Sequence, residues 1–475
     1  MRRRKNGSPL LFTYFALALT TVPAPAWAQT NPVPFINEPL VPASVAPGSA
    51  GFTLTVNGTG FVQGSVVNWS MGGTSTPLAT TFVSTSELTA AVPAGNVVTA
   101  GTASVTVSSP TPGGGTSNAV FLQIVTAESQ VFLTGFDVTS VYAGDGVAVG
   151  DLNNDGKADF VVANGCCNYI SVFLGNGDGT FRPVTTYTTG NGKLPLVPAL
   201  GDFNGDGNLD LVVTDNASRS VTVWLGNGDG TLQAPRSFPA GNEPYSVTVA
   251  DFNRDGKLDL AVSDSVRAGI AILLGNGDGT FKKPLFYSAL LATAQGQTTV
   301  GDFNGDGKLD VAHASVNSDL VLVGFGKGDG TFQPPVPFRV GGPSLSVVAA
   351  DFNGDGVLDL AGSTSSNTVS VLLGRGKGKF RPYTDYPTGT NPYLVLTGDF
   401  NGDGILDLAT VNYDTVAGNT LSILLGNGDG TFQSHVDYQA GTAPNWGATA
   451  DFNGDGRPDF VIPNISGNTI SVDLQ

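Results

Sequence analysis

Cysteine, histidine and positive charge are all scarce in this chain: 475 residues include two cysteines, two histidines and 22 Lys plus Arg, against 39 Asp plus Glu. Each shortage closes off a class of structure or chemistry. Cys166 and Cys167 are neighbours in sequence, so no bridge can tie distant parts of the chain together. In an oxidising compartment they form either a strained vicinal disulfide or two thiols. His313 and His435 stand far apart, and the chain has no His-Glu-x-x-His, no Gly-x-Ser-x-Gly elbow and no phosphate loop, so no catalytic constellation is found and no enzyme is expected. Nucleic acid rewards clustered Lys and Arg, and it is not an expected partner. Helical periodicity is almost missing after the first thirty residues, and no later apolar run is long enough for a spanning helix.

What is abundant is glycine (65) and proline (29), which with a charged fraction of 13% suits an all-β protein dense in turns. Arg2, Arg3, Arg4 and Lys5 precede an apolar run from Leu10 to Val22 and the triplet Ala26-Trp27-Ala28, the form of a signal peptide cleaved after Ala28. The mature chain is therefore expected to be secreted or surface-attached, with a bacterial type of leader. From 29 to 127 there is no Lys, Arg or His, and short alternating runs such as Phe52 to Val56 and Ala103 to Val107 predict a β-sandwich.

The acidity is local. Only Glu38, Glu87, Glu128 and Glu243 are glutamates, leaving 35 of the 39 acids as aspartate, and 21 of those belong to one motif repeated seven times. The motif, Asp-x-Asn-x-Asp-Gly-x-x-Asp, begins at Asp151, Asp202, Asp251, Asp302, Asp351, Asp399 and Asp451. Side-chain oxygens at positions 1, 3, 5 and 9 with a glycine at 6 can wrap a hard cation such as Ca²⁺, position 7 adding a backbone carbonyl. An EF-hand needs glutamate at position 12; here that place holds Val162, Val213, Val262, His313, Gly362, Thr410 and Ile462. The ninth-position aspartate would have to supply that carboxylate, and the flanks read as strands.

The candidate metal ligands are therefore Asp151, Asn153, Asp155 and Asp159; Asp202, Asn204, Asp206 and Asp210; Asp251, Asn253, Asp255 and Asp259; and Asp302, Asn304, Asp306 and Asp310. The later loops add Asp351, Asn353, Asp355 and Asp359; Asp399, Asn401, Asp403 and Asp407; and Asp451, Asn453, Asp455 and Asp459. Without the four basic leader residues the formal charge moves from −17 to −21, and seven divalent ions would bring it to −7.

After each of the first six loops comes a second signature, Leu174-Gly-Asn-Gly-Asp-Gly-Thr-Phe181 in the first and counterparts ending at Leu232, Phe281, Phe332, Phe380 and Phe432. The fifth copy has no aspartate, which favours a plain turn over a second ion site. One unit then holds four strands, for example Ser246 to Phe252, Leu258 to Asp264, Gly269 to Leu274 and Thr280 to Ser288. Seven such units predict a seven-bladed β-propeller over 128–475. The last unit stops before a fourth strand, and Gln130 to Val138 carries the fourth-strand pattern, so this segment is expected to complete the seventh blade.

The seven loops, each between two strands, resemble the FG-GAP/VCBS repeats of integrin α-subunit head propellers and of many bacterial exported proteins. The resemblance implies up to seven Ca²⁺ ions on one rim and ligands on the opposite face. Residues 29–127, through Pro47-Gly48, Leu54 to Gly58, Gly60-Phe61, Val92 to Ala94 and Gly113 to Asn118, resemble IPT/TIG immunoglobulin-like domains and are expected to serve as a spacer. On the presumed ligand face lie Asn216, Arg219, Arg267, Tyr413 and Asn464, with Tyr245, Tyr393 and Trp446 near the starts of inner strands. The expected role is cell-surface binding or adhesion with a protein or carbohydrate ligand. A lectin or polysaccharide-binding protein is the first alternative, and a polysaccharide lyase the second.

Overall fold

β-Branched residues alternating between glycine-rich turns give short strands and almost no helix. A computed structural model describes residues 31–139, 144–190, 192–265, 269–288, 296–413 and 419–475; the expected leader over 1–28 and Arg267 lie outside them. Among the described residues helix is confined to two 3-10 turns, Ala94–Val97 and Gly165–Cys167. No helix there is long and apolar enough to cross a membrane.

Before residue 127 two sheets share one core. The first orders Phe35–Ile36, Phe52–Thr59, Glu87–Val92 and Ala79–Ser84; the second orders Ser44–Val45, Val120–Ile124, Gly101–Ser109, Val66–Met71 and Thr74–Pro77, with Gly115–Thr116 paired to Gly101–Ser109. Along Gly101–Ser109 every second residue is buried, the period of a strand with one face inward. Those inward residues, Ala103, Val105 and Val107, meet Leu54, Val56 and Leu88 of the opposite sheet around Trp69.

The described residues after 130 form seven four-stranded antiparallel sheets. In each, the second strand begins on the ninth-position aspartate of its loop: Asp159–Asn164, Asp210–Asp215, Asp259–Asp264, Asp310–Ala314, Asp359–Thr364, Asp407–Asn412 and Asp459–Asn464. All residues of these strands are buried, because both faces meet a neighbouring sheet. Val161 and Ala163 turn toward the second sheet and pack with Leu211 and Val213. Phe160 and Val162 turn the other way and pack with Phe452 and Phe460 of the seventh. A core of this kind lies between each successive pair of sheets, and contact of the last with the first closes the series.

The seventh sheet takes its fourth strand from the beginning of the repeat region. Thr134–Thr139 pairs antiparallel with Thr469–Leu474, in register from Thr134 opposite Leu474 to Thr139 opposite Thr469. The expected completion of this sheet by the segment around 130–138 is thus what the structure shows. Fourth strands start later than the sequence suggests: in the third unit the strand is Leu285–Ser288, because Gly275 pairs with Phe281 and closes a small loop of its own.

Candidate functional site

Each first strand runs between two chemically different ends. Pro244–Ala250, for example, starts beside Tyr245 and finishes at the loop Asp251 to Asp259. All seven acidic loops therefore share one end of the repeat region.

Within a loop the backbone turns back on its own carboxylates. Asp151 accepts from the N–H groups of Asp155 (3.1 Å) and Gly156 (2.7 Å), and Asn153 Oδ1 accepts from Asp155 N–H at 2.9 Å. Asp159 accepts from Leu152 N–H at 2.9 Å through one oxygen and from Gly175 N–H at 2.7 Å through the other. The ninth-position aspartate thus fastens the start of its loop to the following hairpin, and the pattern returns at Asp210, Asp259, Asp310, Asp359 and Asp407. In the seventh loop Gln475 N–H takes that place on Asp459 at 2.9 Å. The hairpin residue must be glycine: a Cβ on Gly275 would lie 2.2 Å from the Leu258 carbonyl oxygen.

Burial raises the ninth-position carboxyls far above the usual carboxylate range, and the like charges at positions 1 and 5 raise them further. Asp159 reaches about 7, Asp259 about 8 and Asp310 about 8. Among the described residues no three Asp, Glu, His or Cys side chains already converge as a finished metal centre, since the oxygens at positions 1 and 9 are turned onto backbone N–H groups. The donor set nevertheless fits a hard cation. It is all oxygen, each oxygen of Asp151 and Asp159 in the first loop accepts a single N–H and keeps a second lone pair, and Asp255 Oδ1 is buried without a partner.

The second signature is a turn with a purpose that the sequence did not reveal. Asp278 accepts from the N–H and hydroxyl of Thr280 at 3.0 and 2.5 Å, inside its own loop. The same turn sends Gly279 N–H to the carbonyl of Phe203 in the preceding loop at 3.0 Å, and the Phe281 and Phe203 rings meet edge to face at 5.5 Å. Each hairpin thus clasps the acidic loop of the sheet before it.

The N-terminal sandwich sits against this acidic end and is more than a spacer. Val33 N–H donates to Asp251 Oδ2 at 2.9 Å, Asp351 N–H to the Glu38 carbonyl at 3.1 Å, and Ser44 Oγ to the Gly402 carbonyl at 3.1 Å. A Cβ on Gly456 would lie 2.8 Å from the Gly101 carbonyl oxygen, and beside it Arg457 pairs with Glu128, just past the sandwich, at 2.5 Å. Gly156, at φ +79°, lies so near the turn at Gly72 and Gly73 that a Cβ would come 1.9 Å from Gly73 N, whereas Gly207 and Gly307 have nothing within 4 Å. The sandwich therefore touches the first, third, fifth, sixth and seventh loops, while the glycine turns of the second and fourth stay open.

At the opposite end a cavity of about 330 Å³ is lined by Asp145, Leu196, Val197, Tyr245, Tyr393, Tyr413, Asn445, Trp446 and Ile465. Five of these stand at one repeat position, six residues before the loop's first aspartate: Asp145, Leu196, Tyr245, Tyr393 and Asn445, with Gly296 and Leu345 at the other two. Tyr245 and Tyr393 share a hydroxyl hydrogen bond at 3.1 Å. Tyr245 meets Trp446 edge to face at 6.4 Å, and Tyr393 meets Tyr413 at 5.8 Å. Four of the aromatic residues picked out from the sequence are thus brought together. Asn464 is fully buried and bonded to Thr469 and Ser471, and Asn216 and Arg219 are not part of the cavity. Sequence reasoning missed Asp145 and Asn445, which counting back six residues from each loop would have found. Cys166 and Cys167 sit outside the cavity in their 3-10 turn, sulfurs 2.6 Å apart.

Among solved structures, two crystals of BBS1N in complex with ARL6DN, soaked with mercury and with lead, are similar at 12% identity and TM-scores of 0.50 and 0.51. They cover 72% and 73% of this chain and 96% and 97% of theirs. A lectin of Agrocybe aegerita that recognises non-reducing terminal N-acetylglucosamine aligns at 16% identity with a TM-score of 0.46, over 79% of this chain and 95% of its own. No curated protein matches the sequence. The model of the FG-GAP-like repeat matches five times, at 151–213, 202–262, 302–362, 361–410 and 399–462, so its matches cover more than half of the chain. With its acidic loops in register and its all-β repeated sheets, the chain belongs to the FG-GAP-like repeat family.

Proposed function

We propose that this protein is an exported, calcium-loaded, seven-bladed β-propeller, headed by an immunoglobulin-like module of the IPT/TIG kind, that serves as a binding or adhesion module at the cell surface. One observation carries the reading: all seven acidic loops lie at one end, where the N-terminal sandwich is seated, and the other end presents an aromatic cavity. The first end suits structural cations and the second a ligand. The loops' carboxylates would hold Ca²⁺, and a bound ion would supply charge compensation for groups that are costly to ionise in the folded chain.

By mass action a site whose dissociation constant is tenfold below ambient Ca²⁺ contributes about 1.4 kcal/mol, so seven contribute on the order of 10 kcal/mol. The test is a count of bound metal on the mature protein together with a thermal melt in millimolar Ca²⁺ and in chelator. About seven ions and a large fall in Tm on chelation are expected; no bound ion and no shift would remove calcium from the reading. Glycan and protein arrays probed in Ca²⁺ then separate a lectin from a protein adhesin.

A further inference from the structure

The cavity opposite the acidic loops has a composition that selects for charge. Its walls are aromatic and aliphatic, and among its lining residues there is no Lys, Arg or His to balance the one acid, Asp145. Among the described residues Asp145 makes no ion pair. One of its carboxylate oxygens accepts from Gly165 N–H at 2.8 Å, a neutral donor that holds the group in place without cancelling its charge. The Asn445 amide is spent on the Asp145 backbone carbonyl at 3.1 Å, fixing the acid against the seventh sheet.

Around that carboxylate stand Tyr245, Tyr393, Tyr413 and Trp446. They are supplied by the third, sixth and seventh sheets, and the hydroxyl contact at 3.1 Å ties two of them across 148 residues of sequence. Electron-rich ring faces attract a cation, more strongly when water is excluded, and quaternary ammonium recognition rests on such cages. A volume of about 330 Å³ falls at the lower end of the range for small-molecule sites, roughly 300–1,000 Å³.

We propose that the cavity binds a substituted ammonium group, with the rings of Tyr245, Tyr393, Tyr413 and Trp446 caging it and Asp145 as counter-ion. This deepens the binding-module reading by naming the ligand chemistry of its open end. The group could belong to a free small molecule or to the head of a larger one; choline alone measures the shared chemistry, and choline-headed lipid vesicles distinguish the second source.

The experiment is calorimetric titration of the Ca²⁺-treated mature protein with choline and with 3,3-dimethylbutan-1-ol, its uncharged isostere, with Trp446 fluorescence followed in parallel. Choline is expected to bind at least tenfold more tightly than the isostere, and Asp145→Asn to abolish that preference while leaving the calcium-dependent melt unchanged. Equal affinities, or no heat with choline, would overturn the proposal without relying on any variant to fold. The metal count and the array screens report separately on the calcium and adhesion reading, so either can fail alone.

Discussion

The backbone N–H of Gly179 donates to the carbonyl of Phe452 at 2.9 Å, joining the hairpin of the first sheet to the acidic loop of the last. The Phe452 ring reinforces this closure, meeting Phe181 at 5.6 Å and Phe160 at 6.0 Å, both edge to face. Equivalent clasps elsewhere, such as Phe352 with Phe432 at 5.6 Å, join sheets that are also continuous in sequence. The seventh-to-first clasp joins the last three strands of the seventh sheet to a first sheet that they reach only through the borrowed strand Thr134–Thr139. Phe452→Ala should cost about 3–5 kcal/mol, the usual range for a buried Phe, and should leave a ring that opens at one seam. Denaturant unfolding followed by hydrogen exchange reads both effects. Protection loss confined to the first and seventh sheets is expected, whereas uniform loss across all sheets would count against a seam.

A second prediction concerns the seat of the sandwich. Asp251 spends one carboxylate oxygen on Val33 N–H, and burial, the largest influence on it, raises that carboxyl to about 6. The same oxygen accepts from Gly256 N–H at 3.0 Å, so removing the side chain strips partners from both the loop and the sandwich. Asp251→Ala should cost about 1–3 kcal/mol through the donors left unpaired. It should also reduce the bound metal by one ion and speed proteolysis between 127 and 133. Asp302→Ala, in a loop whose glycine turn the sandwich leaves open, should lower the metal count equally without changing that cleavage rate.

The repeated loops were legible because aspartate and glycine at fixed spacing leave the backbone few alternatives, and the strands around them followed from period-two alternation. Completion of the seventh sheet was legible too, from the missing fourth strand after Leu474 and its pattern near Val138. The clasp made by Gly279 on Phe203 was not, since a turn motif says nothing about which neighbour its N–H groups meet. Nor was the seat of the sandwich, which rests largely on backbone groups such as Val33 N–H and the Glu38 carbonyl. The position six residues before each loop holds Asp, Leu, Tyr, Gly, Leu, Tyr and Asn in successive repeats, so its variety hid it from a search for what the repeats share.

The last prediction follows from the ninth-position aspartates and fixes the sign of the pH dependence. Their carboxyls are raised, mainly by burial and then by neighbouring carboxylates, to about 7 at Asp159, Asp359 and Asp459, about 8 at Asp259 and Asp310, and about 6 at Asp210. Asp407 is also raised well above its ordinary value. A carboxyl that holds its proton more tightly when folded than when unfolded makes the fold less stable as pH rises between the two values. In chelator, stability should therefore fall as pH goes from about 4 to 8, by at least about 1 kcal/mol for each loop that behaves this way. With saturating Ca²⁺ a bound ion would favour the ionised carboxylates and draw their values below those of the unfolded chain. The sign would then reverse, with stability full at neutral pH and lost as the loops protonate on acidification. Thermal melts from pH 4 to 8, with and without Ca²⁺, should give two curves of opposite slope. Parallel curves would mean that the seven aspartates serve only to fasten loop to hairpin, as the Asp159 to Gly175 bond already does, and that no cation shares their oxygens.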